Sequence, residues 1–334
     1  MMNKLLTAVL LAGVMAAHSS AEWKTLTADD GLSGNEVQFL RQDDDGTIWI
    51  GTLAGLSRYK DGELQTFVEG TAVWDVLKIG HAKYLIGAQN GVLLADGDKR
   101  EWKQRGLTVV PIYPYNHTVW MVGKSHRTEE AALFEKVESE WQVVGYFKDK
   151  RVVDLFRTGN GHLWVVSDGN GLYEVDPAKG PEASLHHLQG LNVTALAEDS
   201  AGRAWVGLWG RGVRVLEDGR WQTHIPNEDG AIFSMIEDSN KNIWVATSSH
   251  GLWQYDGNEW KNHLRAEGGV NMLAATSDGK VWISTQTKGG LRYWDGETWK
   301  VSLESFLPIR CLLETKSGEI WAGGILDGLH ILKK

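Results

Sequence analysis

The chain has 334 residues, of which 39 are glycine, 17 are tryptophan and six are proline. This length suits one large all-β domain, and the many glycines suit a protein rich in tight turns. The formal net charge of −9, with lysine and arginine interspersed among the acidic residues, argues against a nucleic-acid-binding protein. Cys311 is the only cysteine, which excludes an internal disulfide bond.

Residues 1–21 have the pattern of a secretory signal peptide. Lys4 supplies a positive charge, residues 5–17 are apolar, and residues 19–21 are small, as a cleavage site requires. The alternative is an N-terminal membrane anchor, but the apolar run is short for a membrane span. We therefore expect a mature chain of residues 22–334 in the periplasm or outside a bacterial cell, since exported chains without disulfides are more typical of bacteria than of a eukaryotic secretory route.

The first repeated unit occupies residues 45–62. Asp45 and Gly46 predict a tight turn, because glycine adopts the positive φ of such turns without strain. Residues 48–50 and 56–59 are short strand-like runs, and a second Asp-Gly turn closes the unit. Together these signals predict a meander of antiparallel strands rather than a helix.

The same unit recurs along the rest of the chain. Each copy aligns on one aromatic residue, and successive aromatic residues are 35 to 44 positions apart. The eight anchors are Trp49, Tyr84, Trp120, Trp164, Trp205, Trp244, Trp282 and Trp321. Four strand signals per copy predict an all-β fold, a single β-propeller of four-stranded blades. We expect eight blades; seven is the alternative if the degenerate second copy, residues 73–102, merges with a neighbour.

The two ends of the mature chain predict how the propeller closes. The last copy has three strand signals and no fourth. The segment that begins at Trp23 resembles the fourth strands at Trp260 and Trp299. We therefore expect this N-terminal segment to complete the last blade, because closure removes the sheet edges that an open row of blades would expose.

The repeated tryptophans admit two interpretations. They could form a ring of aromatic platforms for sugars, or each could pack between neighbouring blades. The packing role is expected because the tryptophan keeps one register in each copy, and burial of such a side chain is worth roughly 2–3 kcal/mol. This structural assignment covers Trp49, Trp120, Trp164, Trp205, Trp244, Trp282 and Trp321.

Residues that break the repeat on one face are candidate ligand-binding residues. In a four-stranded blade, the loop between the second and third strands and the connection to the next blade lie on the same side. The candidates on this face are Trp209, Arg211, His250, Trp74 and Arg310. Arginine and histidine suit an anionic or hydroxyl-rich ligand, and Trp209 is a loop tryptophan outside the repeat. The alternative is a solvated face without a specific ligand.

Further departures from the repeat fall on connections. The third copy has a charged insertion at residues 122–132, and the fourth has a long connection at residues 176–184. Insertions in repeat proteins often lie on the binding face. Other residues expected near the same rim are Arg151, Asn192, Phe233 and Asn271.

Motifs for metal binding or catalysis are missing from the sequence. Residues 43–46 resemble part of a calcium loop, but Arg41 stands at the first ligand position, so turn capping is expected instead. No zinc-site spacing or G-x-S-x-G motif occurs. Cys311 is expected to be buried on a strand, and His186 and His187 are expected to be solvated. We expect no cofactor and no metal.

The copies resemble the two-component regulator propeller repeat. Its pattern is Asp-x-x-Gly-x-Ile/Leu-Trp-Ile/Val-Gly-Thr, followed by Gly-Gly-Leu and an aromatic residue. This pattern is matched at residues 43–59, 199–215 and 238–255. In that family such propellers usually form the periplasmic sensor region of hybrid histidine kinases, before a membrane span and kinase domains. This sequence ends at Lys334 without either, so the resemblance implies a sensor-like or binding propeller and not kinase activity.

Two classes of function remain open. The first is a non-enzymatic propeller that binds a small molecule or glycan, or a periplasmic or membrane signalling protein, and supplies a two-component system. The alternative is a propeller lyase or glycan hydrolase, whose paired carboxylates would have to come from distant blades. The absence of a catalytic motif favours the first class. We expect no nucleic-acid partner and no membrane span after signal cleavage.

Overall fold

The computed structural model describes residues 22–333 except 116–117, 126–130, 138–139, 148–151, 160, 168, 177–178, 180–183, 226–229, 265–268 and 288. For residues 104, 107, 110–120 and 122–155 it describes at most the backbone. The predicted signal peptide lies outside the described residues. So do Arg151, the side chain of Trp120 and parts of the predicted insertions at 122–132 and 176–184.

The described chain forms eight antiparallel sheets of four strands each. Numbered along the chain, the first strand is β1 (Trp23–Leu26), which is followed by one 3-10 turn, Ala28–Asp30. Blade 1 contains β2 (Val37–Gln42), β3 (Ile48–Thr52), β4 (Gly55–Lys60) and β5 (Glu63–Glu69). Blade 2 contains β6 (Val73–Gly80), β7 (Lys83–Ala88), β8 (Gly91–Asp96) and β9 (Lys99–Arg105).

The next four blades continue the meander without a crossover. Blade 3 contains β10 (Leu107–Tyr115), β11 (Thr118–Ser125), β12 (Ala131–Val137) and β13 (Glu140–Phe147). Blade 4 contains β14 (Val152–Arg157), β15 (Leu163–Ser167), β16 (Leu172–Val175) and β17 (Leu185–His187). Blade 5 contains β18 (Val193–Glu198), β19 (Ala204–Leu208), β20 (Gly212–Glu217) and β21 (Arg220–Ile225). Blade 6 contains β22 (Ile232–Glu237), β23 (Ile243–Thr247), β24 (Leu252–Tyr255) and β25 (Trp260–Asn262).

The N-terminal strand completes the last blade. Blade 7 contains β26 (Val270–Ala275), β27 (Val281–Thr285), β28 (Gly289–Trp294) and β29 (Trp299–Leu303). Blade 8 contains β30 (Ile309–Glu314), β31 (Ile320–Gly324), β32 (Leu329–Leu332) and, from the other end of the chain, β1. Trp23 pairs with Leu332 and Leu26 pairs with Leu329. The predicted eight-bladed propeller and its mode of closure are therefore confirmed.

The blades surround an axis with their first strands innermost. We call the four strands of a blade A to D from the axis outward. Strands A of neighbouring blades contact each other from β2 to β14 and from β18 to β30, and β30 returns to β2. A shared apolar cluster joins blade 4 to blade 5. A–B and C–D turns consequently lie on one face of the ring, while B–C loops and the connections between blades lie on the other, which we call the loop face.

The core lies between blades, and the repeated tryptophans fill it. Trp49, Trp205, Trp244 and Trp321 are completely buried, and Trp164 and Trp282 are 3% exposed. Two of these indoles contact an aromatic ring of the next blade. The ring centroids of Trp49 and Tyr84 are 4.8 Å apart, and so are those of Trp321 and Tyr59. Such edge-to-face contacts add to the free energy gained from burying the indole surface.

The repeated aspartate explains how the A–B turn holds the tryptophan. Asp199 Oδ2 accepts the indole N–H of Trp205 at 2.8 Å, and its Oδ1 accepts the backbone N–H groups of Ala201 and Arg203 at 3.0 and 2.9 Å. Burial favours a higher pKa for Asp199, but the hydrogen bonds from Trp205 and Arg203 outweigh it and lower the pKa. One carboxylate therefore shapes the turn and satisfies a buried N–H.

Candidate functional site

A β-bulge interrupts strand A of every blade near its start. The pairing with strand B skips one residue, between Val37 and Phe39 in blade 1 and between Ile309 and Cys311 in blade 8. The same skip occurs in the other six blades. A bulged residue leaves the hydrogen-bonded ladder, and such bulges re-aim a side chain next to functional sites.

We call the eight bulged residues the axial ring, because strands A surround the axis. The ring consists of Gln38, Trp74, Pro111, Val153, Thr194, Phe233, Asn271 and Arg310. The residue immediately before the bulge is valine or isoleucine in all eight blades, whereas the bulged residue differs in every one. The backbone position is therefore uniform, whereas the type of residue at this position is not.

A cavity of about 310 Å³ lies against the strands A of blades 6, 7 and 8. Phe233, Asn271 and Arg310 line it, together with the strand residues that follow them. Phe233 is 41% exposed although it is large and apolar. The cavity thus offers an aromatic ring, an amide and a guanidinium, which suit apolar, hydroxyl and anionic ligand groups respectively.

Blade 1 holds the guanidinium of Arg310 in place. Its Nη1 donates to Oε1 of Gln38 at 3.1 Å, and its Nη2 lies 3.4 Å from Oε1 of Glu36. Nε2 of Gln38 donates to the same Glu36 oxygen at 3.3 Å. The Arg310 side chain is 41% exposed, so the ion pair adds little stability. It does fix the direction of the guanidinium at the cavity wall.

Trp74 is the axial-ring residue of blade 2. Its indole Nε1 is buried and has no hydrogen-bond partner among the described residues, which costs about 1–3 kcal/mol when nothing else satisfies the group. The next residue, Asp75, is buried and pairs with Arg41 of blade 1 at 2.9 Å. This N–H is enclosed by protein, and Trp74 is not part of the lining of the cavity at blades 6 to 8.

Cys311 lies beside this cavity and is half-buried. Desolvation of the thiol raises its pKa to about 12, so the thiolate that nucleophilic chemistry requires is scarce at neutral pH. Apart from Arg310, it is the only titratable residue in the cavity lining that the structure describes. The described cavity therefore carries binding groups rather than a proton-transfer pair.

The other predicted site residues lie elsewhere on the loop face. Trp209 is 58% exposed on the B–C loop of blade 5, and its backbone N–H donates to Asn192 O at 2.9 Å. Arg211 follows it and is exposed. His250 Nδ1 is 2.9 Å from Ser249 Oγ on the loop of blade 6. Of the five predicted residues, Arg310 alone lines the axial cavity. Trp74 is at the bulge of blade 2, and Trp209, Arg211 and His250 are on the B–C loops.

Three of the repeats match a known family model. A model of the two component regulator propeller matches residues 31–54, 187–210 and 228–249. Each match contains a strand A, its A–B turn and a strand B. Three repeats of the chain therefore match the two-component regulator propeller family. No curated protein matches the chain in sequence.

Solved structures share the fold of this regulator propeller. One is described as the extracellular domain of a one-component system, BT4673, from B. thetaiotaomicron; it is 17% identical with a TM-score of 0.57, over 91% of this chain and 51% of that one. The regulator propeller thus spans about half the length of that domain. Virginiamycin B lyase from Staphylococcus aureus is 10% identical with a TM-score of 0.60, over 94% and 98%. YCF48 bound to D1 peptide is 15% identical with a TM-score of 0.60, over 93% and 97%.

Exposed apolar side chains of the regulator propeller concentrate on the loop face. Seven large hydrophobic side chains are exposed among the described residues. Those on the loop face or the axial ring are Leu53, Trp209, Phe233, Phe306 and Leu326. The other two, Leu185 and Val301, lie on strands D. The described part of the regulator propeller contains no helix long and apolar enough to cross a bilayer.

The expectation that His186 and His187 are solvated is wrong. Both are half-buried. His186 stacks on Tyr173 with ring centroids 4.3 Å apart, and His187 Nε2 lies 3.1 Å from Glu174. His187 Nδ1 accepts the indole N–H of Trp221 in blade 5 at 3.3 Å, so Nε2 carries the proton when the ring is neutral. His187 thus belongs to the packing between blades 4 and 5, whereas His186 packs within blade 4.

Proposed function

We propose that this regulator propeller is an exported, sensor-like module that binds a ligand at the axial ring. The observation that carries the proposal is the bulge in every strand A, because it brings to the axis the one strand position whose residue differs in all eight blades. Repeat scaffolds commonly combine uniform packing with variable binding positions.

The described part of the ring supports a small molecule or glycan as ligand. Phe233 offers an apolar face, Asn271 an amide, and Arg310 a guanidinium that Gln38 and Glu36 have already oriented. A cavity of about 310 Å³ is at the lower end of the usual size of ligand pockets, about 300–1,000 Å³. A compact ligand with hydroxyl or anionic groups, or one terminal unit of a longer glycan, fits these groups.

A protein partner would carry the signal onward. The exposed apolar residues Leu53, Phe306 and Leu326 lie on connections of the loop face. Exposed apolar groups on one face support contact with a periplasmic or membrane signalling protein. The neighbour from B. thetaiotaomicron is an extracellular domain, and we extend that location to this chain as part of the proposal.

A thermal-shift screen of the purified protein against glycan oligomers and small anionic metabolites tests the ligand site. A ligand that binds only the native state raises the melting temperature by mass action. Arg310→Gln and Phe233→Ala should each abolish the shift of a hit. Arg220→Gln removes an exposed arginine on strand D of blade 5 and should leave the shift unchanged.

Two outcomes would count against the axial ring. A shift that survives Arg310→Gln and Phe233→Ala but disappears in Trp209→Ala places the ligand on the B–C loops. Chemical conversion of a hit would favour the lyase or hydrolase alternative, and the products would be followed by mass spectrometry. A calorimetric titration of the same hit gives the affinity lost in each variant.

A further inference from the structure

The seam between blades 1 and 2 holds two arginines on one phenyl ring. The guanidinium carbon of Arg100 lies 3.9 Å from the ring centroid of Phe67, and that of Arg58 lies 5.7 Å from it. Phe67 is the bulged residue of β5, where the register with β4 shifts, and its ring packs on Trp49 and Tyr84 in the core. Contacts with the core therefore hold the Phe67 ring in place.

Neither guanidinium has an acidic partner among the described residues. Arg58 Nη2 donates to Oε1 of Gln65 at 2.9 Å. Arg100 Nη1 donates to the backbone oxygens of Gly97 and Lys99 at 2.7 and 2.9 Å. These contacts orient both side chains through neutral acceptors. The nearest carboxylates act without an ion pair: Asp98 interacts electrostatically with Arg100, and Asp61 and Glu63 line a cavity beside Arg58.

Three lysines near this seam, unlike the two arginines, form ion pairs with carboxylates. Lys60 and Lys78 both pair with Asp45, at 3.3 and 3.0 Å. Lys83 pairs with Asp96 at 2.9 Å. Arg58 and Arg100 therefore differ from these three lysines, each of which has a carboxylate partner.

The two charges also act on each other. Because both lie on one ring, they are within about 10 Å, the Debye length near 0.1 M salt, so water and salt screen them only partly. Burial lowers the pKa of Arg100; the carboxylate of Asp98 opposes this effect, and the charge of Arg58 adds a smaller lowering. An anion between or beside them would relieve this repulsion, and the planar fork of arginine matches the oxygen geometry of phosphate and sulfate.

We propose that Arg58 and Arg100 form an anion-binding site, for a phosphate or sulfate group, at the seam between blades 1 and 2. A cavity of about 180 Å³ opens beside Arg58, with Lys60, Asp61 and Glu63 in its wall. Arg100 is not part of this wall. The cavity has room for one phosphate or pyrophosphate ion, and its two carboxylates limit the affinity. The site is separate from the axial ring because it lies on strands C and D.

Titration calorimetry with inorganic pyrophosphate at constant ionic strength tests the site on the full purified protein. Pyrophosphate should bind the native protein with one site. The double variant Arg58→Gln, Arg100→Gln should reduce the affinity at least tenfold, with an unchanged circular dichroism spectrum. Glu63→Gln should raise the affinity several-fold, because it removes a negative charge from the cavity wall. Arg220→Gln is the matched control and should bind like the native protein.

A second measurement distinguishes a lipid headgroup from a soluble compound as the source of the anionic group. Sedimentation with vesicles of phosphatidylglycerol, compared with phosphatidylcholine, reports a lipid headgroup, whereas binding of pyrophosphate alone indicates a soluble phosphate or sulfate compound. Binding to either probe that requires both arginines supports the site. Absence of binding to both probes, or equal binding by the double variant, overturns it.

Discussion

Glu314 on strand A of blade 8 caps the A–B turn of blade 7 by accepting two hydrogen bonds from Ser277. The backbone N–H and the hydroxyl of Ser277 each lie 2.6 Å from a Glu314 carboxylate oxygen. Glu237 makes the same pair of bonds to Ser200, both at 2.9 Å. In these two cases the last residue of strand A therefore joins its blade to the preceding blade by hydrogen bonds.

Loss of the two hydrogen bonds between Glu314 and Ser277 should lower the stability of the propeller. We expect Glu314→Ala to lower the free energy of unfolding by about 1–2 kcal/mol, because two charge-assisted hydrogen bonds are lost at a half-exposed site. Urea denaturation followed by tryptophan fluorescence measures the change. Glu297→Ala alters an exposed glutamate in a C–D turn and should change the free energy by less than about 0.5 kcal/mol. Equal effects of the two substitutions would contradict the stabilising role of these hydrogen bonds.

Asp238 should be among the costliest turn residues to replace. It accepts the indole N–H of Trp244 at 2.7 Å, and also both the backbone and the side-chain N–H groups of Asn242 at 2.9 Å. Asp238→Ala leaves the buried indole N–H and the half-buried donors of Asn242 unpaired and should cost about 2–3 kcal/mol. Blade 7 provides the control, since Thr276 accepts the indole N–H of Trp282 at 3.1 Å there.

Asp238→Thr should therefore retain part of the stability that Asp238→Ala loses. Both variants would be compared by urea denaturation at neutral pH. If the threonine and alanine variants lost equal stability, the hydrogen bond to the indole would not account for the contribution of Asp238 to stability.

The sequence predicted the scaffold because its signals are local. Turn glycines, strand-length apolar runs and the constant tryptophan register report on residues within one blade, and the resemblance of Trp23 to Trp260 revealed closure. The site was only partly predictable. The repeat pattern placed Trp74 and Arg310 on the loop face. It did not show that they are bulged residues, because a bulge depends on how two strands pair. Gln38 was missed for that reason, although the invariant valine or isoleucine before the bulge marks its position.

Contacts between blades were not predictable from the chain alone. Phe67 and Arg100 belong to different repeats, and nothing in their sequence neighbourhoods indicates that one stacks on the other. His187 and Trp221 are a second case, since their hydrogen bond crosses the seam between blades 4 and 5. The period of the repeat predicts which blades are neighbours, whereas side-chain size and bulges decide which residues meet.

Lys241 should be replaceable by glycine with a gain in stability. It has a φ of 68° in the A–B turn of blade 6, where Gly202 and Gly279 occupy the same turn position in blades 5 and 7 with φ of 78° and 83°. A side chain in this left-handed region costs about 1 kcal/mol. Lys241→Gly should raise the free energy of unfolding by about 0.5–1 kcal/mol, after allowing for the extra freedom of glycine in the unfolded chain.

Lys241→Ala serves as the control for that prediction. It removes the ion pair of Lys241 with Glu237 at 3.7 Å but keeps the strained backbone. Its stability should stay within about 0.5 kcal/mol of the native protein, because exposed ion pairs contribute little. A gain from alanine as large as that from glycine would show that charge, and not backbone strain, sets the stability of this turn.

Histidines occupy one seam position in three consecutive blades. His187, His224 and His263 lie with ring centroids 5.1, 5.0 and 5.0 Å from the strand B tryptophan of their own blade. Phe67 occupies the corresponding place in blade 1, 4.9 Å from Trp49. These seams therefore contain ionisable rings where an uncharged ring also fits.

His263 should make the propeller sensitive to acid. Burial, with a smaller effect from the charge of Lys261, lowers the pKa of His263 from 6.5 to about 4. Between these two pH values the unfolded chain binds the proton and the folded chain does not, so stability falls as the pH decreases from about 6.5 towards 4. At pH 5 the loss should be about 1–2 kcal/mol, discounted for the partial exposure of the ring.

His263→Phe should reduce this loss, because phenylalanine cannot bind a proton. Urea denaturation at pH 7.5 and pH 5.0 would measure the change in free energy of unfolding for each protein. The substitution removes the hydrogen bond of His263 Nε2 with Gln254 at 2.7 Å, so some stability should be lost at both pH values alike. His81→Gln, at an exposed position, should keep the native pH dependence. If His263→Phe lost as much stability on acidification as the native protein, the acid sensitivity would have to come from other groups.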